Sequence, residues 1–337
     1  MAALIMDAAG NLYGTNQLNG AFGYGTIFKL DTSGNETVLH SFTGDAGDGC
    51  APIGALIMDN AGNLYGTTED CNLGTVFKLD TSGTYTVLHS FTGSDGEFPS
   101  AALIMDSAGN LYSTTLFGGA SGCGTVFKLD SFGNETVLHS FAGSDGATPT
   151  AGLIMDAAGN LYGPTAAGGS GSCAPLPHSS EVGCGTVFKL DTSGNETILH
   201  SFTGGSDGAN PDAGLIMDKA GNLYGTATGG GSSNCFGGCG TVFKLTLQTP
   251  QQATQAIVNS VNALFSQGVL NGGQDNSLVV KLQHAIDLMN AGKNAAAIGN
   301  LNAFISEVND LLSSGVLSPS QAASLVSAAE SVIARLS

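Results

Sequence analysis

The stretch LIMDAAGNLYGT, residues 4–15, occurs five times in this chain of 337 residues. The later copies are LIMDNAGNLYGT at 56–67, LIMDSAGNLYST at 103–114, LIMDAAGNLYGP at 153–164 and LIMDKAGNLYGT at 215–226. The copies begin 52, 47, 50 and 62 residues apart, while the phrase itself keeps its length. Self-similarity at a fixed period of this size indicates a repeat architecture, either a propeller or a solenoid.

Two further phrases follow each opening phrase and predict the remaining strands. GTVFKL or GTIFKL follows all five copies, and TVLHSF or TILHSF then follows the first four. In the second unit the four predicted strands cover 55–58, 63–67, 75–79 and 85–91. The third alternates cleanly, so that Val76 and Lys78 take one face of the strand. Asp and Gly in the DNAGN and DTSG links predict tight turns, which join antiparallel neighbours.

Four antiparallel strands in about 50 residues correspond to one blade of a propeller. We therefore predict a mainly β fold, a five-bladed β-propeller built from five four-stranded repeats. The last blade is expected to be three-stranded, because no TVLHSF follows Leu245. The predicted domain covers 1–248, and its units cover about 1–52, 53–99, 100–149, 150–211 and 212–248.

The composition changes at Thr249-Pro250, where glycine thins out and apolar residues recur at helical spacing. A linker over 249–253 and a small C-terminal four-helix bundle over 254–337 are predicted. Ser318, Pro319 and Gln321 form a capping-box sequence that predicts the start of the last helix.

The charge balance excludes one class of partner. The net charge is −18, and only nine residues are Lys or Arg. No basic stripe exists, so a nucleic-acid partner is not expected. The sequence contains no apolar run of about 20 residues, so no transmembrane segment is predicted. No signal peptide is visible, and the chain begins almost inside the first strand.

Cysteine positions suggest disulfides that staple loops. The expected pairs are Cys173 with Cys184, Cys235 with Cys239, and Cys50 with Cys71; Cys123 is not included in these pairs. Disulfides would imply an oxidising compartment. Free thiols are one alternative, and a metal site is another because Cys235-x3-Cys239 approaches metal-ligand spacing.

Other residue types are weighed for a ligand or catalytic role. Each connection between units carries Asp-Gly ahead of Pro, which is typical of a turn. A ring of carboxylates binding calcium is the sharper alternative, although no DxDxDG phrase occurs. The long fourth loop contains a His and a Glu, and a solvated loop is expected there rather than a catalytic pair. The candidate ligand-loop residues are Asp48, Asp95, Asp145, Asp207, His178 and Glu181.

A structural role is also expected for four histidines that recur in the repeat. They occupy one position in four different blades, so a propeller would hold them apart. We expect a structural role on the outermost strand, such as a hydrogen bond to a neighbouring blade. These residues are His40, His89, His139 and His200.

The phrases LIMDxAGNLYGTT, GTVFKLD and ETVLHSFTG resemble the bacterial tandem repeat nicknamed GloVer, across residues 1–245. Residues 277–336, with LQHA at 282–285 and LNAFISEV at 301–308, are similar to the FIMAH domain. Both resemblances imply an exported bacterial protein, and neither implies a reaction or catalytic residues. AGNLYGT is also similar to gluconolactonase-type propellers, whose acidic metal ligands cannot be matched here.

These observations lead to three hypotheses. The first is a non-catalytic secreted or cell-surface repeat protein that binds polysaccharide or a surface protein, with no cofactor except, as an alternative, calcium. The second is a metal-dependent hydrolase or lyase with its site at the central channel. The third is a structural repeat protein that assembles between chains because the ring is incomplete.

Overall fold

The computed structural model describes residues 3–45, 47–175, 182–219, 221–232, 238–247 and 249–336. The chain divides into two compact units, Met1–Leu245 and Thr246–Ser337. The first consists of β-sheets and the second of helices. The predicted positions His178, Glu181 and Cys235 lie outside the described residues.

The first four repeats each form a four-stranded antiparallel sheet whose strand order follows the chain. The first has β1 (Ile5–Met6), β2 (Leu12–Asn16), β3 (Thr26–Leu30) and β4 (Glu36–Ser41). The second has β5 (Ile57–Met58), β6 (Leu64–Thr68), β7 (Thr75–Leu79) and β8 (Tyr85–Ser90). The third has β9 (Ile104–Met105), β10 (Leu111–Thr115), β11 (Thr125–Leu129) and β12 (Glu135–Ser140). The fourth has β13 (Ile154–Met155), β14 (Leu161–Thr165), β15 (Thr186–Leu190) and β16 (Glu196–Ser201).

The fifth sheet departs from the prediction of three strands. The three expected strands are β17 (Ile216–Met217), β18 (Leu223–Ala227) and β20 (Gly238–Leu245). A fourth strand, β19 (Gly230–Gly231), pairs with β20 in parallel. It lies in the glycine-rich loop before β20. Because glycine has no side chain, two backbone segments can approach closely there. The sequence did not predict it because two glycines carry no strand pattern.

The first strand of each unit is shorter than predicted. In the second unit the ladder covers Ile57–Met58 rather than 55–58, and Leu56 precedes it. Leu56 is buried between the first two units together with Ile27, Phe42 and Phe77. Its apolar character therefore reflects packing between sheets rather than a longer strand.

Neighbouring units are joined by a repeated pair of phenylalanines. The Phe after each fourth strand meets the Phe of the next third strand edge to face, a favourable aromatic geometry. The ring-centroid distances are 5.6 Å for Phe42–Phe77, 5.1 Å for Phe91–Phe127, 5.1 Å for Phe141–Phe188 and 5.1 Å for Phe202–Phe243. This contact occurs at all four junctions between consecutive units.

The glycine of GTVFKL is required by the same junctions. Gly74 has a φ of +93° in the left-handed region, which favours glycine. A Cβ there would lie 2.4 Å from Cδ of Pro99, in the connection to the third unit. The equivalent approaches join Gly25 to Pro52, Gly124 to Pro149 and Gly185 to Pro211. In the first four repeats, the glycine and the distant proline are therefore one packing feature.

The second compact unit has four helices around one core. They are α1 (Pro250–Ser266), α2 (Gly272–Asn290), α3 (Asn294–Ser313) and α4 (Pro319–Ala334). Ser318 caps α4 in a capping box with Gln321, as the sequence indicated.

Two details differ from the expected helical unit. The predicted linker over 249–253 is largely the first turn of α1, because Thr249 and Gln252 form a second capping box around Pro250. Phe265, one of the apolar residues that recur at helical spacing in this part of the chain, is exposed, whereas its neighbour Leu264 packs against the core.

We predict that Phe141→Ala lowers the free energy of unfolding by about 3 to 5 kcal/mol, because it removes a fully buried ring and leaves a cavity at the junction of units three and four. Urea unfolding followed by circular dichroism measures the loss. Phe132→Ala is the control, since the Phe132 side chain is exposed and its removal should change stability by less than about 0.5 kcal/mol. Equal effects of the two substitutions would contradict the packing described here.

Candidate functional site

The opening phrase of each unit folds into a tight turn whose aspartate accepts hydrogen bonds from other residues of the phrase. This hydrogen-bonded turn is called the lock below. In the second unit, one Asp59 carboxylate oxygen accepts hydrogen bonds from the backbone N–H groups of Ala61 and Asn63, each at 2.9 Å. The other accepts from the Asn63 side chain at 2.8 Å and the Tyr65 hydroxyl at 3.0 Å. The Tyr–Asp bond recurs in all five units at 2.9 to 3.0 Å. The motif therefore builds a rigid turn, and its aspartate is occupied by that turn.

The lock shifts the pKa values of its own members. Hydrogen bonds led by that from Asn11 lower the pKa of Asp7 to about 2. Burial, reinforced by the hydrogen bond to Asp59, raises the pKa of Tyr65 to about 12. The aspartate is therefore ionised and the tyrosine neutral at physiological pH. A lysine lies beside this pair, because Lys78 is directly opposite Tyr65 in the ladder and its Nζ is 5.7 Å from the ring centroid.

A cleft opens beside these locks between the second and third units. Its volume is about 770 Å³. The second unit contributes Met58, Tyr65 and Lys78 to its walls, and the third contributes Met105 and Phe132. The corresponding cleft between the first two units is smaller, about 410 Å³. The cleft between units two and three is called the 2/3 cleft below, and it has nearly twice the volume of its equivalent between the first two units.

Phe132 distinguishes the 2/3 cleft from its equivalents. Its side chain is 90% exposed, although it is a large apolar group. It occupies the tip of the turn between the third and fourth strands, where the other complete units carry Ser33, Ser82 and Ser193. Sequence reasoning missed this residue. The available signal was the replacement of DTSG by DSFG in one repeat only.

The candidate aspartates of the connections pair with the repeated histidines. The Nε2–Oδ distances are 2.8 Å for His40–Asp48, 2.9 Å for His89–Asp95, 2.9 Å for His139–Asp145 and 3.2 Å for His200–Asp207. Each histidine therefore bonds to the turn that follows its own strand, not to a neighbouring sheet as expected. Each of these carboxylates also accepts a backbone N–H of that turn, for example that of Thr92 on Asp95 at 2.8 Å.

Two glutamates from the following units approach these pairs. Ligand atoms of His89, Asp95 and Glu135 all lie within 4.8 Å of one another. It is the one group of three or more such side chains with this spacing among the described residues, so the structure does not bring the aspartates of the four connections together. Burial, followed by repulsion from Asp95, raises the pKa of Glu135 to about 7. Burial and then Asp145 raise the pKa of Glu196 to about 7 in the same way.

In the second unit an aromatic residue takes the place of this glutamate. Tyr85 stacks on His40 with ring centroids 4.1 Å apart, and its hydroxyl donates to the Asp48 carbonyl at 2.6 Å. Sequence reasoning missed the glutamates and this tyrosine as site residues. They lie far along the chain from the His–Asp pairs, and no local pattern links them.

Disulfides hold two of the loops between second and third strands. Cys50, in the connection after the first unit, bonds to Cys71 in the loop of the second. Cys173 bonds to Cys184 within the fourth loop. Both pairs are among those expected from the sequence. Cys239 is also disulfide-bonded, while Cys123 is a buried thiol.

Comparison with known sequence families identifies the repeat. The Gloeobacter/Verrucomicrobia repeat matches residues 1–176, more than half of the chain. The chain belongs to the Gloeobacter/Verrucomicrobia repeat family. A FIMAH domain matches residues 254–334, so this similarity begins earlier than the sequence motifs indicated. No curated protein sequence matches the chain.

Comparison with solved structures gives distant similarities. A gluconolactonase from Xanthomonas campestris is 17% identical, with 73% of this chain and 71% of that one covered at a TM-score of 0.43. A protein from Lactobacillus plantarum is 15% identical over 71% of this chain and 67% of that one, with a TM-score of 0.40. Likenesses this distant say nothing about what this chain binds. Within the described residues, no helix has the length and apolar character needed to cross a membrane.

We predict that Glu135→Gln and Glu196→Gln each stabilise the protein at pH 7. Both pKa values rise from 4.5 in the absence of the fold to about 7 within it, so the folded state binds these protons more tightly. The contribution of these two protonated glutamates to the stability of the fold is fully present below the unfolded pKa of 4.5 and is lost as the pH rises to about 7 and above. After allowance for solvent screening, each substitution should recover about 1 kcal/mol at pH 7 and little at pH 4.5.

Urea unfolding between pH 4.5 and pH 8 tests this dependence. Glu36→Gln is the matched control, because Glu36 occupies the same repeat position in the first unit and is exposed. It should leave the pH profile unchanged. A wild-type profile that stays parallel to those of Glu135→Gln and Glu196→Gln over this range would refute the assignment.

Proposed function

We propose that this chain is a non-catalytic, secreted or cell-surface repeat protein that binds neutral polysaccharide in the 2/3 cleft. The observation that carries the proposal is Phe132, an exposed aromatic ring on the wall of the 2/3 cleft. An aromatic face offers large contact area to the apolar face of a sugar ring at a small entropic cost.

The polar groups of the cleft suit a hydroxylated ligand. Ser131 precedes the ring, and Lys78 lies on the wall contributed by the second unit. A hydroxyl and an ammonium group can donate hydrogen bonds to sugar hydroxyls, and the hydroxyl can also accept them. A few polar groups around an apolar surface are what fixes the orientation of a ligand in such sites.

The charge of the chain favours a neutral glycan over an acidic one. The net charge is −18, and Asp59, Asp106 and Asp130 all line the cleft. A polyanion would meet this field with like charge, which lowers both its affinity and its association rate. A neutral polysaccharide meets no such barrier.

The disulfides support an exported setting. Cys50–Cys71 and Cys173–Cys184 would persist in an oxidising compartment and not in a reducing one. Together with the repeat and the FIMAH domain, they favour a protein that acts outside the cytosol or at the cell surface.

The alternative of a metal-dependent hydrolase or lyase at a central channel gains no support. Among the described residues, the group with metal-ligand spacing is His89, Asp95 and Glu135. These residues lie on or directly after β8 and at the start of β12, the fourth strands of their units. In these two units the fourth strand is at the edge of the sheet opposite the first strand, so this group does not lie on the first strands, where the hypothesis would place a channel.

We predict that Phe132→Ser weakens binding to a neutral polysaccharide at least tenfold, which corresponds to about 1.4 kcal/mol. Serine is the residue that the other complete units carry at this position, so the variant should fold normally. Calorimetry with soluble β-glucan, mannan and dextran, with alginate as the anionic comparison, measures the affinities.

The control is Val280→Ser, which removes an exposed apolar side chain from α2 and should leave binding unchanged. Unaltered affinity in Phe132→Ser would overturn the assignment of the site. A wild-type protein that binds none of the neutral glycans would overturn the proposal and favour a surface protein as the ligand.

A further inference from the structure

The face of the fifth unit that would carry a sixth is exposed. Val242, in β20, is 82% exposed. The residues at its repeat position in the other four units are each 0% exposed, because the next unit covers them: Ile27, Val76, Val126 and Val187. Ile216, on the same face of the fifth unit, is 68% exposed. We call the face that contains Val242 and Ile216 the trailing face.

The first unit exposes the opposite half of the same junction. Leu4 is 51% exposed, whereas its equivalents are 1 to 3% exposed: Leu56, Leu103, Leu153 and Leu215. Met6, two residues on and therefore on the same side, is 68% exposed. We call the face that contains Leu4 and Met6 the leading face.

The internal junctions show that these two faces are complementary. Between units two and three, Val76 and Phe91 from the trailing side pack against Leu103 and Phe127 from the leading side. The same residue types meet at the other junction clusters. The trailing face of unit five and the leading face of unit one therefore have the pattern that buries each interior junction.

The two faces are not packed on each other within one molecule. Leu4 and Val242 are both exposed in the same chain, so the first and fifth units do not bury these two faces against each other. Among the described residues, β19 pairs with Gly238 and Gly240 but with no other residue of β20, so the rest of that strand edge has no described partner strand. Exposed apolar faces and open strand edges are typical sites of association between chains.

We propose that a second copy of this chain docks its leading face on the trailing face, in a head-to-tail contact that reproduces an internal junction. The occupant is a second copy because each face matches the partner that its own repeat supplies four times in the interior. A contact between two different faces is heterologous, so it joins copies into a larger ring or a filament. This assembly is independent of glycan binding in the 2/3 cleft.

Light scattering coupled to size exclusion tests the contact on the full chain. The wild-type protein should show a mass above that of one chain, increasing with concentration. Leu4→Asp and Val242→Asp should each be monomeric at concentrations at least tenfold above those at which wild type associates, because each loses one face. Both side chains are exposed, so circular dichroism and thermal unfolding should confirm that the variants fold.

Mixing the two variants separates this contact from others. Leu4→Asp keeps an intact trailing face and Val242→Asp an intact leading face, so an equimolar mixture should give a complex of two chains and no larger species. A symmetric contact through either face would instead leave one variant dimeric alone, which would overturn the proposal. A wild-type protein that is monomeric at all concentrations would also overturn it. Phe132→Ser should assemble like wild type, which distinguishes this result from failure of the glycan proposal.

Discussion

The edge-to-face contact between phenylalanines of consecutive units is the interaction on which the repeat domain depends. A four-stranded sheet with apolar residues on both faces cannot bury them by itself, and each unit here solves this by packing on its neighbours. Phe141 at the end of one unit and Phe188 in the next are both fully buried only because the two sheets meet. The glycine and proline of each repeat follow from the same requirement, since Gly124 and Pro149 approach too closely for a Cβ.

The aspartate turn of each unit, by contrast, is stabilised by hydrogen bonds within the unit and does not depend on the neighbouring units. The Asp59 turn is closed by residues no more than six positions away, with Tyr65 as the most distant. Its polar groups are satisfied within the motif, so the repeated phrase is retained as a structural unit and not as a ligand site. Variation is then confined to the loops and turn tips, and the replacement of serine by Phe132 in one turn changes the surface without disturbing the frame.

The junctions also bring charges together that the sequence keeps apart. Asp95 bonds to His89 in its own unit, and the next unit adds Glu135 at 46 positions from that histidine. Burial, and then repulsion from Asp95, raises the pKa of this glutamate to about 7, which couples the stability of a junction to pH. The second unit avoids the extra carboxylate by placing Tyr85 over His40.

The sequence by itself determined the elements that depend on local chemistry and period. Five units, their tight Asp–Gly turns, the third strand at Thr75–Leu79 and the capping box at Ser318 all follow from residues close together in the chain. Tertiary structure alone decided which faces meet. It placed Leu56 in a junction instead of a strand, left Val242 exposed where Val126 is buried, and brought Glu135 to Asp95. The physical reason is that identical repeats have identical local preferences, whereas burial depends on whether a neighbouring sheet is present.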